Sequence, residues 1–271
     1  MVLPHTLRAN GMKKFSLTCL GVGDGWPCAD RRHASFLYRF GQTHLLVDCG
    51  EPADATLRAH GVKPDTIDHL LISHLHSDHI GGFFMLMQGF WLEGRRKKLP
   101  IHMPGGAIKP LREMLRTVYV FDELLNFRPT YRPLKVASSF TTRGVQITAY
   151  PTTHLEGFRS KFQNKYKMDF GAFSFLFQHR GLRIGHSADL GKPEDLEPLL
   201  EKPLDLLVCE LAHFPPEEMF IYLRGRPIKR VIFMHLARPL WEDLTRTKRF
   251  AARMLPDIPH TFARDGATIH L

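Results

Sequence analysis

The run Ser73–His79 directly follows the apolar residues Leu70–Ile72 and is the part of the sequence richest in possible chemistry. Within six residues it carries four side chains that can bind a metal ion: His74, His76, Asp78 and His79. Two histidines spaced two apart in extended backbone project to the same side, so these ligands can face one cavity. The pattern H-x-H-x-D-H after an apolar strand favours a metal site over a polar loop. Imidazole and carboxylate suit zinc, with manganese or iron as alternatives.

Three more candidate ligands follow other apolar stretches along the chain. They are His154 after residues 149–153, Asp189 after residues 185–188, and His235 after residues 231–234. Alone, each of these residues would most simply close a strand end as a capping polar group. Their shared position just past predicted strands, where loops that carry ligands usually lie, favours a common site.

The elements that must position these side chains follow from hydrophobic periodicity and turn residues. Strands are predicted at residues 14–20, 35–40, 43–47, 69–72, 145–150, 172–177, 182–185, 204–209 and 230–234. Helices are predicted at residues 52–60, 80–90, 193–200 and 216–223. Hairpins come first and alternating strands and helices later, which suggests sheets covered by helices on their outer faces. The Pro-rich, basic stretch 95–143 gives no clear pattern.

The bulk composition is that of a soluble globular chain. The 271 residues, 44% hydrophobic and 24% charged, suit a single domain over residues 1–271, with residues 1–11 as a loose leader. No apolar stretch is long enough to span a bilayer, so no membrane partner is expected. The four cysteines lack close pairing or a CxxC motif, which favours reduced thiols and a cytoplasmic location.

The net charge of +10 favours an anionic partner such as a phosphate ester or a nucleic acid. It does not choose between them, since each basic cluster alone is an ordinary solvated surface. A homodimer is also left open.

Several short motifs resemble those of the metallo-β-lactamase superfamily, and within it the ribonuclease Z-like branch. They are Gly21-Val22-Gly23 with Pro27, Arg32 and Ser35; Asp48-Cys49-Gly50-Glu51; Ile72 to Gly82; and His235-Leu236-Ala237-Arg238. The resemblance runs from Phe15 to the C-terminus. It implies an α+β fold, a four-layer αβ/βα sandwich in which two mixed sheets pack face to face with helices outside.

The resemblance also implies a site for two divalent metal ions, most simply Zn²⁺. One metal would be held by His74, His76 and His154, and the other by Asp78, His79 and His235. Asp189 would bridge the two metals, and Asp48 would fix a ligand imidazole from behind. A hydroxide shared by the metals would be the nucleophile at neutral pH.

Catalytic roles are expected for Asp78 and for the pair Glu210 and His213. In the branch that the chain resembles, a Glu–His pair near this point is linked to proton donation, although the intervening segment is shorter here. The alternative for His213 is that it only begins the helix at Pro216. His186 is expected to be a surface or supporting histidine, because seven other residues already complete both metal sites.

The expected substrate is a phosphodiester, either RNA or a small nucleotide. Between His154 and Asp189 the sequence lacks the long Gly- and Lys-rich arm with which ribonuclease Z proteins grip tRNA, and has only a short basic stretch at residues 159–167. This favours a small or single-stranded phosphodiester over whole tRNA. One alternative is hydrolysis of a carboxylic ester, lactone or thioester, with an acyl pocket lined by Trp26, Phe83, Phe84, Phe90 and Trp91. A second, non-enzymatic alternative is a binding protein on a retired hydrolase scaffold; the presence of all seven ligands argues against it.

Overall fold

The computed structural model describes residues 15–271. The expected leader, residues 1–11, and the first residue of the first predicted strand lie outside the described residues. The prediction of a single domain over residues 1–271 stays a prediction.

Two mixed sheets of seven strands each form the centre of the molecule. The first has the order β14-β1-β2-β3-β4-β5-β6, with β1 Phe15–Gly21, β2 Ser35–Phe40, β3 Thr43–Val47, β4 His69–Leu71, β5 Leu99–Pro104, β6 Pro129–Leu134 and β14 Thr268–His270. The second has the order β13-β12-β11-β10-β9-β8-β7, with β7 Ser139–Thr142, β8 Val145–Pro151, β9 Phe173–His179, β10 Leu182–His186, β11 Leu206–Leu211, β12 Val231–Leu236 and β13 His260–Phe262. In each sheet an antiparallel half joins a parallel half.

Nine helices are present among the described residues, and most of them cover the outer faces of the two sheets. They are α1 Ala53–Ala59, α2 Ser77–Ile80, α3 Phe83–Leu92, α4 Ile108–Thr117, α5 Glu156–Phe162, α6 Glu197–Leu200, α7 Pro216–Leu223, α8 Arg238–Glu242 and α9 Leu244–Met254. Among the described residues, no helix combines the length and apolar character needed to cross a bilayer.

Three apolar layers hold the sheets and helices together. One lies between the sheets, a second between the first sheet and α1, α3 and α4, and a third between the second sheet and α6, α7 and α9. The two-residue period of a strand explains the sorting: Phe36 and Tyr38 of β2 pack between the sheets, whereas Leu37 packs towards the helices. Each large apolar side chain removed from water contributes about 1.5–3 kcal/mol. The predicted four-layer α+β sandwich is confirmed.

The helix predicted at residues 80–90 is broken into α2 and α3. The break falls at Gly81 and Gly82, where the Gly82 N–H donates a hydrogen bond to the Cys49 carbonyl oxygen at 2.9 Å. A β-carbon at Gly82 would lie 2.8 Å from that oxygen, so only glycine permits this approach. The break ends α2 just after His79 and holds it against the loop that follows β3.

Other differences concern segment ends and segments that gave no clear pattern. The helix predicted at residues 193–200 consists of a 3-10 turn, Pro193–Leu196, followed by α6. The unassigned stretch 95–143 contains β5, α4, β6 and β7, and the unpredicted β13 and β14 close the second and first sheets.

Candidate metal centre

The candidate ligands meet at one edge of the two sheets, where strands of both sheets end. The run Ser73–His79 follows β4 of the first sheet, while His154 follows β8 and Asp189 follows β10 of the second. In open sheets, the carboxyl ends of parallel strands are the usual place for a ligand site. His235 differs from its predicted position, because it lies within β12 and not past its end. Its φ of 50° is unusual for a residue with a side chain, and its N–H donates to the Val22 carbonyl at 2.9 Å.

Four side chains form a first donor set. They are His74, His76, His154 and Asp189, whose ligand atoms all lie within 4.8 Å of one another. The Nε2 atoms of His74 and His154 each lie 3.6 Å from Asp189 Oδ2, and His154 Nε2 lies 3.0 Å from His76 Nδ1. His74 is fully buried, yet its Nε2 has no hydrogen-bond partner.

A second donor set shares Asp189 with the first. It consists of Asp78, His79, Asp189 and His235. His79 Nε2 lies 3.2 Å from Asp189 Oδ1, and His235 Nε2 lies 3.0 Å from Asp78 Oδ2. The Nε2 atoms of His79 and His235 face each other at 3.3 Å. The structure thus brings all seven expected side chains together.

This donor chemistry fits two divalent cations. Buried polar atoms are normally paired, so His74 Nε2 and Asp189 Oδ1, both buried without a hydrogen-bond partner, point to a missing partner. Imidazole nitrogens that converge on carboxylate oxygens are a typical zinc environment. Asp189 is the one residue that belongs to both of these donor sets.

Asp48 and Ser73 orient two of these imidazoles from behind. The Ser73 N–H and Oγ–H donate to the Asp48 carboxylate at 2.7 and 2.8 Å, and His79 Nδ1 donates to Asp48 Oδ2 at 2.7 Å. Because the Ser73 hydroxyl hydrogen is used for Asp48, its oxygen accepts from His74 Nδ1 at 3.0 Å. In their neutral form, with the proton on Nδ1, His74 and His79 present Nε2 lone pairs with which they can bind a cation. The Asp48 contact is the one that the resemblance implies.

The protonation of the site reflects burial opposed by nearby charges. Burial lowers the pKa of His154 to about 3 and that of His74 well below its usual value, so both imidazoles are neutral and able to bind a cation. Burial also lowers the pKa of His79, but the charges of Asp189 and Asp48 outweigh it and raise that pKa well above normal. Burial raises the pKa of Asp78, while hydrogen bonds from His235 and His79 hold it far below its usual range.

Glu210 and His213 form a hydrogen-bonded pair at the edge of this cluster. Glu210 is fully buried at the end of β11, and its carboxylate accepts from the N–H groups of Leu190 and Ala212, both at 2.7 Å. His213 Nδ1 donates to Glu210 Oε1 at 2.8 Å, and His213 Nε2 lies 3.6 Å from Asp189 Oδ2. Burial lowers the pKa of His213, but Glu210 raises it to about 9. The His213 side chain is 30% exposed and can meet a substrate.

Asp195 supports the site in a way that the sequence did not reveal. Its carboxylate accepts hydrogen bonds from the N–H groups of Thr153 and Gly191, at 2.8 and 2.9 Å, and so ties together the loops that carry His154 and Asp189. Asp195 lies in a segment predicted only as helix, and its role depends on two loops that meet in space.

His186 was expected to be either a surface or a supporting histidine, and its full burial leaves the supporting position. Its Nδ1 lies 2.8 Å from the hydroxyl of Tyr38, which is also buried. His186 belongs to neither donor set, in keeping with a supporting position.

Three of the five aromatic residues considered for an acyl pocket pack in an apolar layer of the fold instead. Phe83 and Phe90 are buried in the layer between the first sheet and its helices, and Phe84 packs against the same layer. Trp26, by contrast, is 57% exposed. It directly follows Gly25, where a β-carbon would lie 3.6 Å from the Asp78 carboxylate.

Comparison of the sequence with known proteins identifies a matching family and several related sequences. A family model described as Anti-Pycsar protein Apyc1 matches residues 15–213. The ribonuclease Z of Methanocaldococcus jannaschii is 32% identical over 148 residues, which make up 52% of this chain and 44% of that protein. The chain therefore spans about half the length of the curated relatives it matches.

Solved structures share the fold over nearly the whole chain. The metallo-β-lactamase fold protein YhfI from Bacillus subtilis has a TM-score of 0.75 at 18% identity, covering 95% of this chain and 99% of that one. Human tRNase Z, short form, has a TM-score of 0.71 at 19% identity, covering 94% and 98%. At these identities the likeness concerns the fold. The match over residues 15–213 covers well over half of the chain, which therefore belongs to the Anti-Pycsar protein Apyc1 family, within the ribonuclease Z-like branch of the metallo-β-lactamase superfamily.

Proposed function

We propose that the chain is a two-metal hydrolase that cleaves a phosphodiester in a small nucleotide or a short single strand. The observation that carries this proposal is the pair of donor sets that share Asp189. Two adjacent divalent cations generate a nucleophile from water and neutralise the charge that builds up on a phosphoryl oxygen. The related ribonuclease Z sequences support a phosphodiester as the substrate class.

The chain's own residues fix where these cations would sit. His74, His76 and His154 would hold one, and Asp78, His79 and His235 the other, with Asp189 contacting both. Asp48 and Ser73 keep the imidazoles in the ligand tautomer, so the site is organised before substrate arrives. The net charge of +10 draws anionic substrates towards the molecule.

His213 would give a proton to the leaving oxygen. Its Nδ1 is held by Glu210, so the ring can donate only through Nε2, which faces the shared ligand Asp189. A positioned acid of this kind contributes typically about 10²–10⁴-fold to a rate.

The entrance to the site favours a small substrate. The segment between His154 and Asp189 that could have formed an arm instead begins with the seven-residue helix α5. Phe158 of this helix is half exposed and its ring lies 5.8 Å from that of His76. A short aromatic wall beside the metal ligands suits a small nucleotide better than the body of a tRNA. The homodimer and the cytoplasmic location stay predictions from the sequence.

The proposal is tested by metal content and phosphodiester turnover of the purified protein. We expect two divalent ions per chain after metal-replete purification, turnover of bis-p-nitrophenyl phosphate and of a thymidine phosphodiester, and loss of both activities in Asp189→Ala. His213→Gln is the matched variant: it should retain both metals and lose about 10²–10⁴-fold in kcat.

Two outcomes would contradict the proposal. Fewer than one metal per chain would refute the two-metal site. Turnover of an aryl ester or a lactone without any phosphodiester would assign the same centre to acyl substrates.

A further inference from the structure

A cavity of about 570 Å³, here called the edge cavity, is lined by β4, β5 and β6 of the first sheet and by β7 of the second. It lies at the end of the strands opposite to the metal centre. His69 lines the cavity and begins β4, whereas the ligand run Ser73–His79 follows that strand. Arg143 lines the cavity and precedes β8, whereas His154 follows β8. The seven residues of β8 span about 20 Å, so the edge cavity is separate from the metal centre.

Positive charge dominates the edge cavity. Its lining contains four cations, Lys97, Lys98, Arg132 and Arg143, and the single carboxylate of Asp68. Lys97 forms an ion pair with Asp68 Oδ1, and Arg143 Nη1 lies 3.6 Å from the same oxygen. Within residues 15–271, Lys98 and Arg132 have no carboxylate at ion-pair distance. Their two positive charges are close in size to the charge of about −1.5 to −2 that a phosphate monoester carries at pH 7.

Two histidines of the edge cavity show that this charge reaches its interior. Burial lowers the pKa of His69 to about 4, and the charge of Lys98 adds to that effect. Burial likewise lowers the pKa of His102 to about 3, with a further contribution from Arg132. His69 Nδ1 lies 3.0 Å from His102 Nε2, a contact that two neutral imidazoles make as one donor and one acceptor. Both rings therefore add polar atoms to the cavity and no charge.

The second sheet contributes a free hydroxyl hydrogen and an aromatic wall. Ser139 Oγ accepts hydrogen bonds from Gln146 Nε2 at 3.1 Å and from Thr148 Oγ1 at 3.3 Å, so its own hydrogen is left to donate. The Phe140 ring stacks on the His102 imidazole, with 3.9 Å between the centroids and 5° between the planes. Phosphate oxygens accept from hydroxyl, ammonium and guanidinium groups, and a guanidinium can donate two parallel hydrogen bonds to them.

We propose that the edge cavity is a second, non-catalytic site that binds a small molecule through one phosphate monoester group, with Lys98 and Arg132 holding the phosphate. A cavity of about 570 Å³ is in the size range of small-molecule sites and exceeds what one phosphate fills, so the rest of the ligand lies against the wall formed by Phe140. This inference goes beyond the proposed function, because it requires neither the metals nor turnover.

The experiment is a calorimetric titration of the full chain with inorganic phosphate, the group that all such ligands share. Phosphate can also bind at the metals, so the titration is done on metal-replete wild type and on Asp189→Ala, in which the metal centre is disrupted. We expect binding to persist in Asp189→Ala. Addition of Lys98→Gln and Arg132→Gln to that variant should weaken it at least about tenfold, because each substitution removes a charged hydrogen-bond donor.

The matched control replaces two other cations. Lys248→Gln with Arg264→Gln removes the same charge from two exposed side chains that do not line the edge cavity, and phosphate affinity should change less than about twofold. Glucose 6-phosphate should bind at least as tightly as inorganic phosphate, because the cavity has room for the sugar, whereas glucose should not bind. Thermal unfolding without phosphate should give the same midpoint for both double variants, which separates lost binding from lost folding.

Three results would overturn the proposal. Loss of all phosphate binding in Asp189→Ala would mean that phosphate binds only at the metals. An equal loss of affinity in the Lys248 and Arg264 variant would reduce the effect to general attraction by the net charge. Binding of inorganic phosphate without binding of glucose 6-phosphate would exclude a phosphate monoester as the ligand. Failure of the phosphodiesterase proposal would leave the site intact, since none of these measurements depends on turnover.

Discussion

Replacement of Asp48 by asparagine tests whether the metal centre depends on the groups behind it. Asp48 is fully buried and accepts three hydrogen bonds, from the Ser73 N–H, the Ser73 hydroxyl and His79 Nδ1. An amide has one acceptor oxygen, and its NH₂ group can only donate. In Asp48→Asn, the amide nitrogen facing His79 would favour the tautomer with hydrogen on Nε2. That tautomer removes the Nε2 lone pair from the second donor set.

The size of the effect follows from the hydrogen bonds that the amide cannot accept. Loss of a carboxylate that orients a ligand histidine typically lowers metal affinity about 10- to 100-fold, which is about 1.4–2.7 kcal/mol. A buried donor left without a partner adds about 1–3 kcal/mol of destabilisation. In the first donor set, the substitution affects only His74, whose Nδ1 is held by the Ser73 hydroxyl. The affinity for one of the two metals should therefore fall more than the affinity for the other.

The assay is a competitive titration of Zn²⁺ against a chromophoric chelator, with thermal unfolding of the chelated protein measured in parallel. We expect one of two sites to weaken at least tenfold. Asp122→Asn is the control, because Asp122 is an exposed carboxylate that pairs with Arg112 and belongs to neither donor set. Two sites with affinities unchanged within twofold would refute the reasoning. So would an equal loss in the Asp122 variant.

Two further predictions concern stability. A β-carbon at Gly50 would lie 2.0 Å from the Asp78 carbonyl oxygen, so Gly50→Ala should lower the free energy of unfolding in urea by about 1–3 kcal/mol or more. Gly157 has open space around it, so Gly157→Ala should leave that free energy unchanged. Equal effects of the two substitutions would contradict the packing argument. Burial lowers the pKa of His69 to about 4 and that of His102 to about 3, so the unfolded chain takes up protons first and stability should fall as the pH drops from about 6.5 towards 4. In metal-free protein His102→Gln should show a shallower fall over that range, and identical slopes would argue against this source of acid sensitivity.

Much of the metal centre could be predicted because its ligands are local or mark strand ends. Four of the seven expected side chains lie within His74–His79, where the two-residue period of extended backbone already places two imidazoles on one side. The predicted strands at residues 35–40 and 43–47 coincide with β2 and β3, because alternating side chains and a Gly-containing turn define that hairpin locally.

Other features of the site could not be predicted from local patterns. Asp48, Ala188 and His235 adopt positive φ values of 57°, 47° and 50°. Positive φ is uncommon for residues other than glycine, so the local sequence does not predict it at these positions. Asp195 joins its own loop to that of Thr153, which lies 42 residues away along the chain. The buried His186 contacts the hydroxyl of Tyr38, which lies 148 residues away along the chain.

The sequence by itself determined the class of chemistry, because ligand types at a two-residue spacing after an apolar strand specify a metal site within a single segment. Only the tertiary structure decided that these ligands form two sets joined by Asp189, since that depends on how the ends of β4, β8, β10 and β12 meet across two sheets.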